Sequence, residues 1–125
     1  MTAIARLAAV SLDAHDPSVL SRFYQDLLGL EVSYESPDFV ALRGAPTLIT
    51  IQRVVDLPPV SWPTGPIPKQ IHLELGVDDL DAAVRAAIEV GARLADAQPS
   101  PDRWRVMLDP AGHPFCLTTL VPTAS

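Results

Sequence analysis

The feature that most constrains this chain is a pattern that occurs twice. Residues 4–14 (IARLAAVSLDA) form an apolar, β-prone run. Asp16 and Pro17 follow it, a helix N-cap with proline at the first helical position. Val19, Leu20, Phe23, Leu27 and Leu28 then recur at helical spacing, and Gly29 supplies the C-terminal cap. Three strand candidates come next, Glu31–Tyr34, Phe39–Arg43 and Thr47–Val54. They are separated by the turn signals Ser36-Pro37-Asp38 and Gly44-Ala45-Pro46. The second pass has the same order. Gln70–Val77 reads as a strand, and Asp78 or Asp79 caps a helix with Leu80, Val84, Ala87 and Ile88 on its apolar side. Gly91 ends that helix. Arg93–Ala97, Trp104–Leu108 and Phe115–Leu120 read as three more strands.

The two passes agree in detail. Ala9 precedes Asp16 by seven residues, as His72 precedes Asp79, and Gly44-Ala45-Pro46-Thr47-Leu48-Ile49-Thr50 aligns with Gly112-His113-Pro114-Phe115-Cys116-Leu117-Thr118. A duplicated βαβββ unit accounts for both matches. The rival, a ferredoxin-like βαββαβ arrangement, needs fewer strands between the helices than this pattern supplies. The expected fold class is therefore α+β, one domain over residues 1–125, with modules at 4–54 and 70–121. The link at 55–69 holds five prolines, a density that excludes it from a central ladder.

Composition removes several function classes. No apolar run reaches the length of a membrane span. The opening residues MTAIARLAAV do not have the build of a secretory signal, so a cytoplasmic protein is expected. The single cysteine, Cys116, agrees with that, since it has no internal disulfide partner. A net charge of −6 without a basic stripe argues against nucleic acid as a partner.

Three phrases carry a family likeness. They are Phe23-Tyr24-Gln25-Asp26-Leu27-Leu28-Gly29-Leu30-Glu31-Val32 after Asp16-Pro17, then Val77-Asp78-Asp79-Leu80-Asp81-Ala82-Ala83, and Asp109-Pro110-Ala111-Gly112-His113-Pro114-Phe115. Together they resemble the vicinal oxygen chelate superfamily of glyoxalases, bleomycin resistance proteins and extradiol dioxygenases, in its small glyoxalase-like form. The resemblance spans residues 4–121. It implies paired βαβββ modules that curve into a cup around a small-molecule site, and a homodimer, since relatives commonly pair. Each phrase also has a purely structural reading as helix core, cap or turn, so the site needs its own argument.

Alternation along the strands supplies it. In Gln70–Val77, Ile71, Leu73 and Leu75 are expected to pack on the helices, leaving Gln70, His72 and Glu74 toward the cup. In the first strand Ala8, Val10 and Leu12 turn to the helices, and Ala9, Ser11 and Asp13 away from them. The repeat places Leu48, Thr50 and Gln52 on the cup side, with Cys116 and Thr118. Trp104 is a further candidate whose face its short strand does not fix. The ligand-contacting set is thus Ser11, Asp13, Thr50, Gln52, His72, Glu74, Trp104 and Cys116.

Metal-dependent members of the superfamily take a histidine or glutamine from the first strand, a histidine from the fifth and a glutamate from the last. By position these are Ala9, His72 and Cys116 here, and only His72 matches. Alanine has no donor atom, and a thiol replaces the hard carboxylate. No metal or other cofactor is therefore expected. A strand histidine is more often simply hydrogen-bonded than a ligand, and a buried cysteine more often a small hydrophobe. Glu74 could instead serve with His72 as a general base. Three readings stay open at this point: a metal-free cup that binds a small, partly apolar or aromatic molecule, and could sequester it; a lyase, isomerase or dioxygenase using His72 with an atypical ligand set or Glu74 as base; and a dimeric scaffold.

Overall fold

The computed structural model describes residues 2–68 and 70–120. Position 121, the expected end of the second module, and Lys69 in the link lie outside them. The chain divides into two compact units, at Leu57 and Pro58.

The first unit runs β1 (Ala9–Ala14), α1 (Pro17–Leu28), β2 (Glu31–Ser36), β3 (Phe39–Arg43) and β4 (Leu48–Arg53). Its sheet has the order β1-β4-β3-β2, with β1 parallel to β4 and the other pairs antiparallel. α1 starts where the sequence expects it. The Asp16 carboxylate accepts from the Ser18 and Val19 amides at 3.0 and 3.4 Å and from the Ser18 hydroxyl at 2.6 Å, satisfying donors that a helix start leaves without intrahelical partners. It ends at Gly29, whose φ of 68° is the left-handed conformation that glycine adopts at low cost. The apolar stripe Leu20, Phe23 and Tyr24 is buried. α1 packs on β3, β4 and β1. The ladder partners Val10–Ile49–Leu42 and Leu12–Ile51–Val40 alternate with a second, more polar set.

The second unit repeats this plan with β5 (Leu73–Gly76), α2 (Leu80–Glu89), β6 (Arg93–Leu94), β7 (Trp104–Leu108) and β8 (Pro114–Thr118), in the order β5-β8-β7-β6. Three strands follow each helix, so the duplicated βαβββ pattern holds and the ferredoxin-like alternative falls. Asp79, rather than Asp78, caps α2 through the Ala82 amide at 3.0 Å. Met107, Phe115 and Leu117 are almost wholly buried with Ala87 and Val84 of α2. Each such large side chain contributes about 1.5–3 kcal/mol relative to exposure.

Several strands are shorter than alternation suggests, each for a local reason. β1 starts at Ala9 because its partner β4 starts at Leu48, so Ala8 is exposed rather than packed. β5 starts at Leu73, opposite Phe115; the preceding residue of β8 is Pro114, which has no N–H to extend a ladder. Ile71, expected on the helix side, therefore precedes the first rung and is 86% exposed. β6 has two residues because the Gln98 side chain takes over its pairing. The Gln98 amide nitrogen donates to the carbonyls of Ala95 and Val106 at 2.9 and 2.8 Å, and its oxygen accepts from the Val106 amide at 2.9 Å.

The proline-rich segment is a loop, as its composition requires. It is held by a compact turn in which the Ser61 amide and hydroxyl both donate to the Ile67 carbonyl, at 2.6 and 3.1 Å, and the Ile67 amide donates back to the Ser61 hydroxyl at 2.7 Å. Among the described residues no helix is long and apolar enough to cross a membrane.

Candidate functional site

In a strand pair, ladder partners point to the same face, so the register assigns the candidate residues. In the first unit Ala9 pairs with Leu48, Ser11 with Thr50 and Asp13 with Gln52. Six residues that alternation put on one face thus do share it. β3 adds Ala41 opposite Thr50 and Phe39 opposite Gln52. These two were missed, although the antiparallel turn at Gly44-Ala45-Pro46 could have set their register. Phe39 also stacks obliquely with Tyr34, ring centroids 6.0 Å apart.

In the second unit the same side of the sheet carries Glu74 opposite Cys116 and Gly76 opposite Thr118. Across β8 from these are Val106, opposite Cys116, and Trp104, opposite Thr118. The register settles the face of Trp104. Cys116, Val106 and Ala95 form a buried cluster, and Trp104, Leu108 and Trp62 pack against it. Trp62 reaches it from the proline-rich loop. No periodicity in that loop could have placed it; the Ser61–Ile67 hydrogen bonds do.

His72 sits one residue before β5. Its Nε2 lies 2.7 Å from Oε1 of Glu74, with side chains 28% and 47% exposed. Residues two apart on an extended strand have backbones about 7 Å apart, so this contact is made by the side chains folding toward each other. Donor atoms of His72, Glu74 and Cys116 all lie within 4.8 Å of one another. Cys116 itself is 4% exposed.

A register difference between the units brings these groups together. In the sequence repeat, Ala9 matches His72 and Leu48 matches Cys116. Ala9 is the ladder partner of Leu48 in the first unit, yet Cys116 is partnered by Glu74, two residues beyond His72. A two-residue slip preserves which face each side chain occupies. It therefore exchanges the neighbour of Cys116 without disturbing the core.

The superfamily's metal triad does not fit this chain. Its three positions hold Ala9, His72 and Cys116, and Ala9 offers only a methyl group, so two donors remain where a catalytic zinc has three protein ligands.

A separate surface cavity of about 390 Å³ in the first unit is lined by Asp16, Ser18, Glu35, Ser36, Pro37 and Val40. None of the sequence-derived site residues lines it. Asp16 there already caps α1, and its carboxyl is held below the ordinary aspartate value of 3.8, chiefly by the Ser18 hydroxyl.

Comparison with known proteins agrees with this architecture. The glyoxalase-like domain family matches residues 9–118. Among solved structures, the chain is similar to a glyoxalase/bleomycin resistance protein/dioxygenase family enzyme from Burkholderia phytofirmans, at 24% identity and a TM-score of 0.71 over 94% of this chain and 100% of that one. It is similar to a fosfomycin resistance protein from Mesorhizobium loti, at 17% identity and a TM-score of 0.71 over 95% and 94% of the two chains. It also resembles the bleomycin-binding protein of bleomycin-producing Streptomyces verticillus, a structure complexed with copper(II)-bleomycin, at 20% identity and a TM-score of 0.60 over 94% and 98%. At these identities the likeness concerns the fold. No curated protein matches the sequence.

Proposed function

The chain belongs to the glyoxalase-like domain family, within the vicinal oxygen chelate superfamily, and on that premise we propose that it binds a small, partly apolar or aromatic molecule without using the superfamily's metal triad. The observation that carries this reading is the side of the second sheet where both tryptophans of the chain pack against one apolar cluster, next to the His72–Glu74 pair. Flat aromatic walls with a few polar groups at one end are the usual make-up of a ligand pocket. Trp104 supplies stacking area, and His72 and Glu74 supply a donor and an acceptor. The polar face of the first unit, with Ser11, Asp13, Thr50 and Gln52, offers hydrogen bonds in its own right. The bleomycin-binding fold relative, complexed with copper(II)-bleomycin, supports small-molecule binding as a use of this scaffold.

Fluorescence tests it directly, because Trp62 and Trp104 are the only tryptophans. Titration with a panel of small aromatic compounds, copper(II)-bleomycin among them, should give saturable quenching that weakens in Trp104→Ala. A panel that produces no saturable change would overturn the reading. The 2.7 Å contact of His72 with Glu74 favours one second reading, a general-base couple in a lyase, isomerase or dioxygenase. Substrate turnover lost in Glu74→Gln would decide for it.

A homodimer belongs to the same proposal. The edge strand β2 exposes Val32 and Tyr34, and the residues ahead of β1 expose Ile4 and Leu7. Uncovered edges and apolar side chains of this kind favour pairing. Light scattering at micromolar concentration should report twice the chain mass, and a monomer would exclude it.

A further inference from the structure

We propose that His72, Glu74 and Cys116 form a divalent-metal site of zinc type, complete within the second unit and distinct in composition from the superfamily's triad. The sequence alone offers two donors at the inherited positions. The register of β5 against β8 brings in a third, since it seats Glu74 beside Cys116, and His72 already touches Glu74. One nitrogen, one carboxylate oxygen and one sulfur then lie within 4.8 Å of one another. Zinc holds nitrogen and oxygen at about 2.0–2.2 Å and sulfur at about 2.3 Å, which puts tetrahedral donors roughly 3.3–3.8 Å apart. The His72–Glu74 contact has to open by somewhat under an ångström and the longer spacings have to close by about as much. His72 and Glu74 can make that adjustment, because both are partly exposed; Cys116, buried in the middle of a strand, is the fixed point.

The donor set selects the ion. A mixed nitrogen, oxygen and sulfur set suits Zn²⁺, and Co²⁺ as its spectroscopic substitute, whereas Mg²⁺ and Ca²⁺ require oxygen throughout. On binding, the Cys116 thiol gives its proton to solvent and the sulfur coordinates as thiolate. Thiolate and carboxylate then balance the two positive charges. Three protein ligands leave a fourth position for a donor from outside the chain, the arrangement of catalytic rather than structural zinc. Trp104 shares the sheet face of Glu74 and Cys116. A molecule with an oxygen or nitrogen donor on an apolar body would therefore be able to meet the ion and the indole together.

This inference does not depend on the ligand-binding reading above. Metal bound in the absence of any aromatic compound separates the two. The test uses the full chain, freed of metal with a chelator, and titrates Co²⁺ alone while recording absorbance. The expected result is one equivalent bound, with a sulfur-to-cobalt charge-transfer band and intense tetrahedral ligand-field bands, all displaced by Zn²⁺. Glu74→Gln should weaken binding by at least about tenfold, the loss that even an outer-shell partner's removal causes, and His72→Ala should do the same. Cys116→Ser should abolish the charge-transfer band. Glu74 is half-exposed, so Glu74→Gln keeps the fold, checked by circular dichroism, even where the buried Cys116→Ser variant does not. No charge-transfer band, or cobalt affinity unchanged in Glu74→Gln, would overturn the proposal.

Discussion

Glu74 and Cys116 face each other across the β5–β8 ladder, while His72, two residues earlier, bridges back to the Glu74 carboxylate at 2.7 Å. This places a carboxylate, an imidazole and a thiol on one sheet face of a single unit. The His72–Glu74 pair is partly exposed, and such pairs contribute about 0–1 kcal/mol to stability. Replacing either residue is expected to leave the fold intact. His72→Ala and Glu74→Gln should each shift the urea midpoint only slightly in metal-free protein. A loss of several kcal/mol would mean that the pair is structural.

The Gln98 amide acts as the missing rungs of β6. Gln98→Ala removes three hydrogen bonds to the Ala95 and Val106 backbone. It should cost about 1–3 kcal/mol, because the buried Val106 amide loses its partner, whereas the Val106 carbonyl keeps the Ala95 amide at 3.0 Å. Hydrogen exchange should show the effect at the Val106 amide first. Protection of that amide unchanged in the variant would refute the assignment.

Asp109 organises the turn before β8. Its buried carboxylate accepts from the amides of Ala111 and His113 at 2.9 and 3.0 Å. Asp109→Ala orphans both donors and should destabilise the chain by about 1–3 kcal/mol. Asp109→Asn keeps an acceptor oxygen and should lose less. Equal losses in the two variants, measured by chemical denaturation, would show that the oxygen is not the relevant feature.

Gly65 has φ of 119°, and a side chain there would bring its Cβ within 2.5 Å of Ser61 Cβ and Oγ. Gly65→Ala therefore opposes both the backbone conformation and the Ser61–Ile67 turn. A loss of more than about 1 kcal/mol is expected. Because Trp62 adjoins Ser61, its indole should leave the Cys116 cluster and tryptophan emission should move to longer wavelength. Emission unchanged in a folded variant would separate the turn from the placement of Trp62.

Acid should loosen α1 from its N-terminus. The folded-state pKa of Asp16 lies below its ordinary value of 3.8, chiefly because the Ser18 hydroxyl donates to the carboxylate. A depressed pKa gives stability that is present above the unfolded value and fades as pH falls through the folded one. Asp16→Ser keeps a neutral cap without that titration. Its stability profile below about pH 4 should fall less steeply than that of the parent chain. Parallel acid profiles would remove Asp16 from the account.

Local pattern alone determined most of the fold. Asp16, Asp79 and Gly29 mark helix ends through hydrogen bonds and backbone angles that reach only a few residues, and alternation in the two passes set the order of eight strands and the faces of Ser11, Thr50, Glu74 and Cys116. Those rules act over a single turn or one strand, so they survive without knowledge of neighbours. They fail where a partner decides the outcome. β5 starts only at Leu73 because Pro114 opposes the preceding position, and β6 ends early because Gln98 folds back onto β7. The face of Trp104, the docking of Trp62 and the meeting of Glu74 with Cys116 all depend on register between segments distant in the chain. Register is fixed by packing of the assembled sheet against its helix, and a slip of two residues leaves the alternation pattern unchanged. Tertiary structure alone could therefore decide which carboxylate stands beside the cysteine.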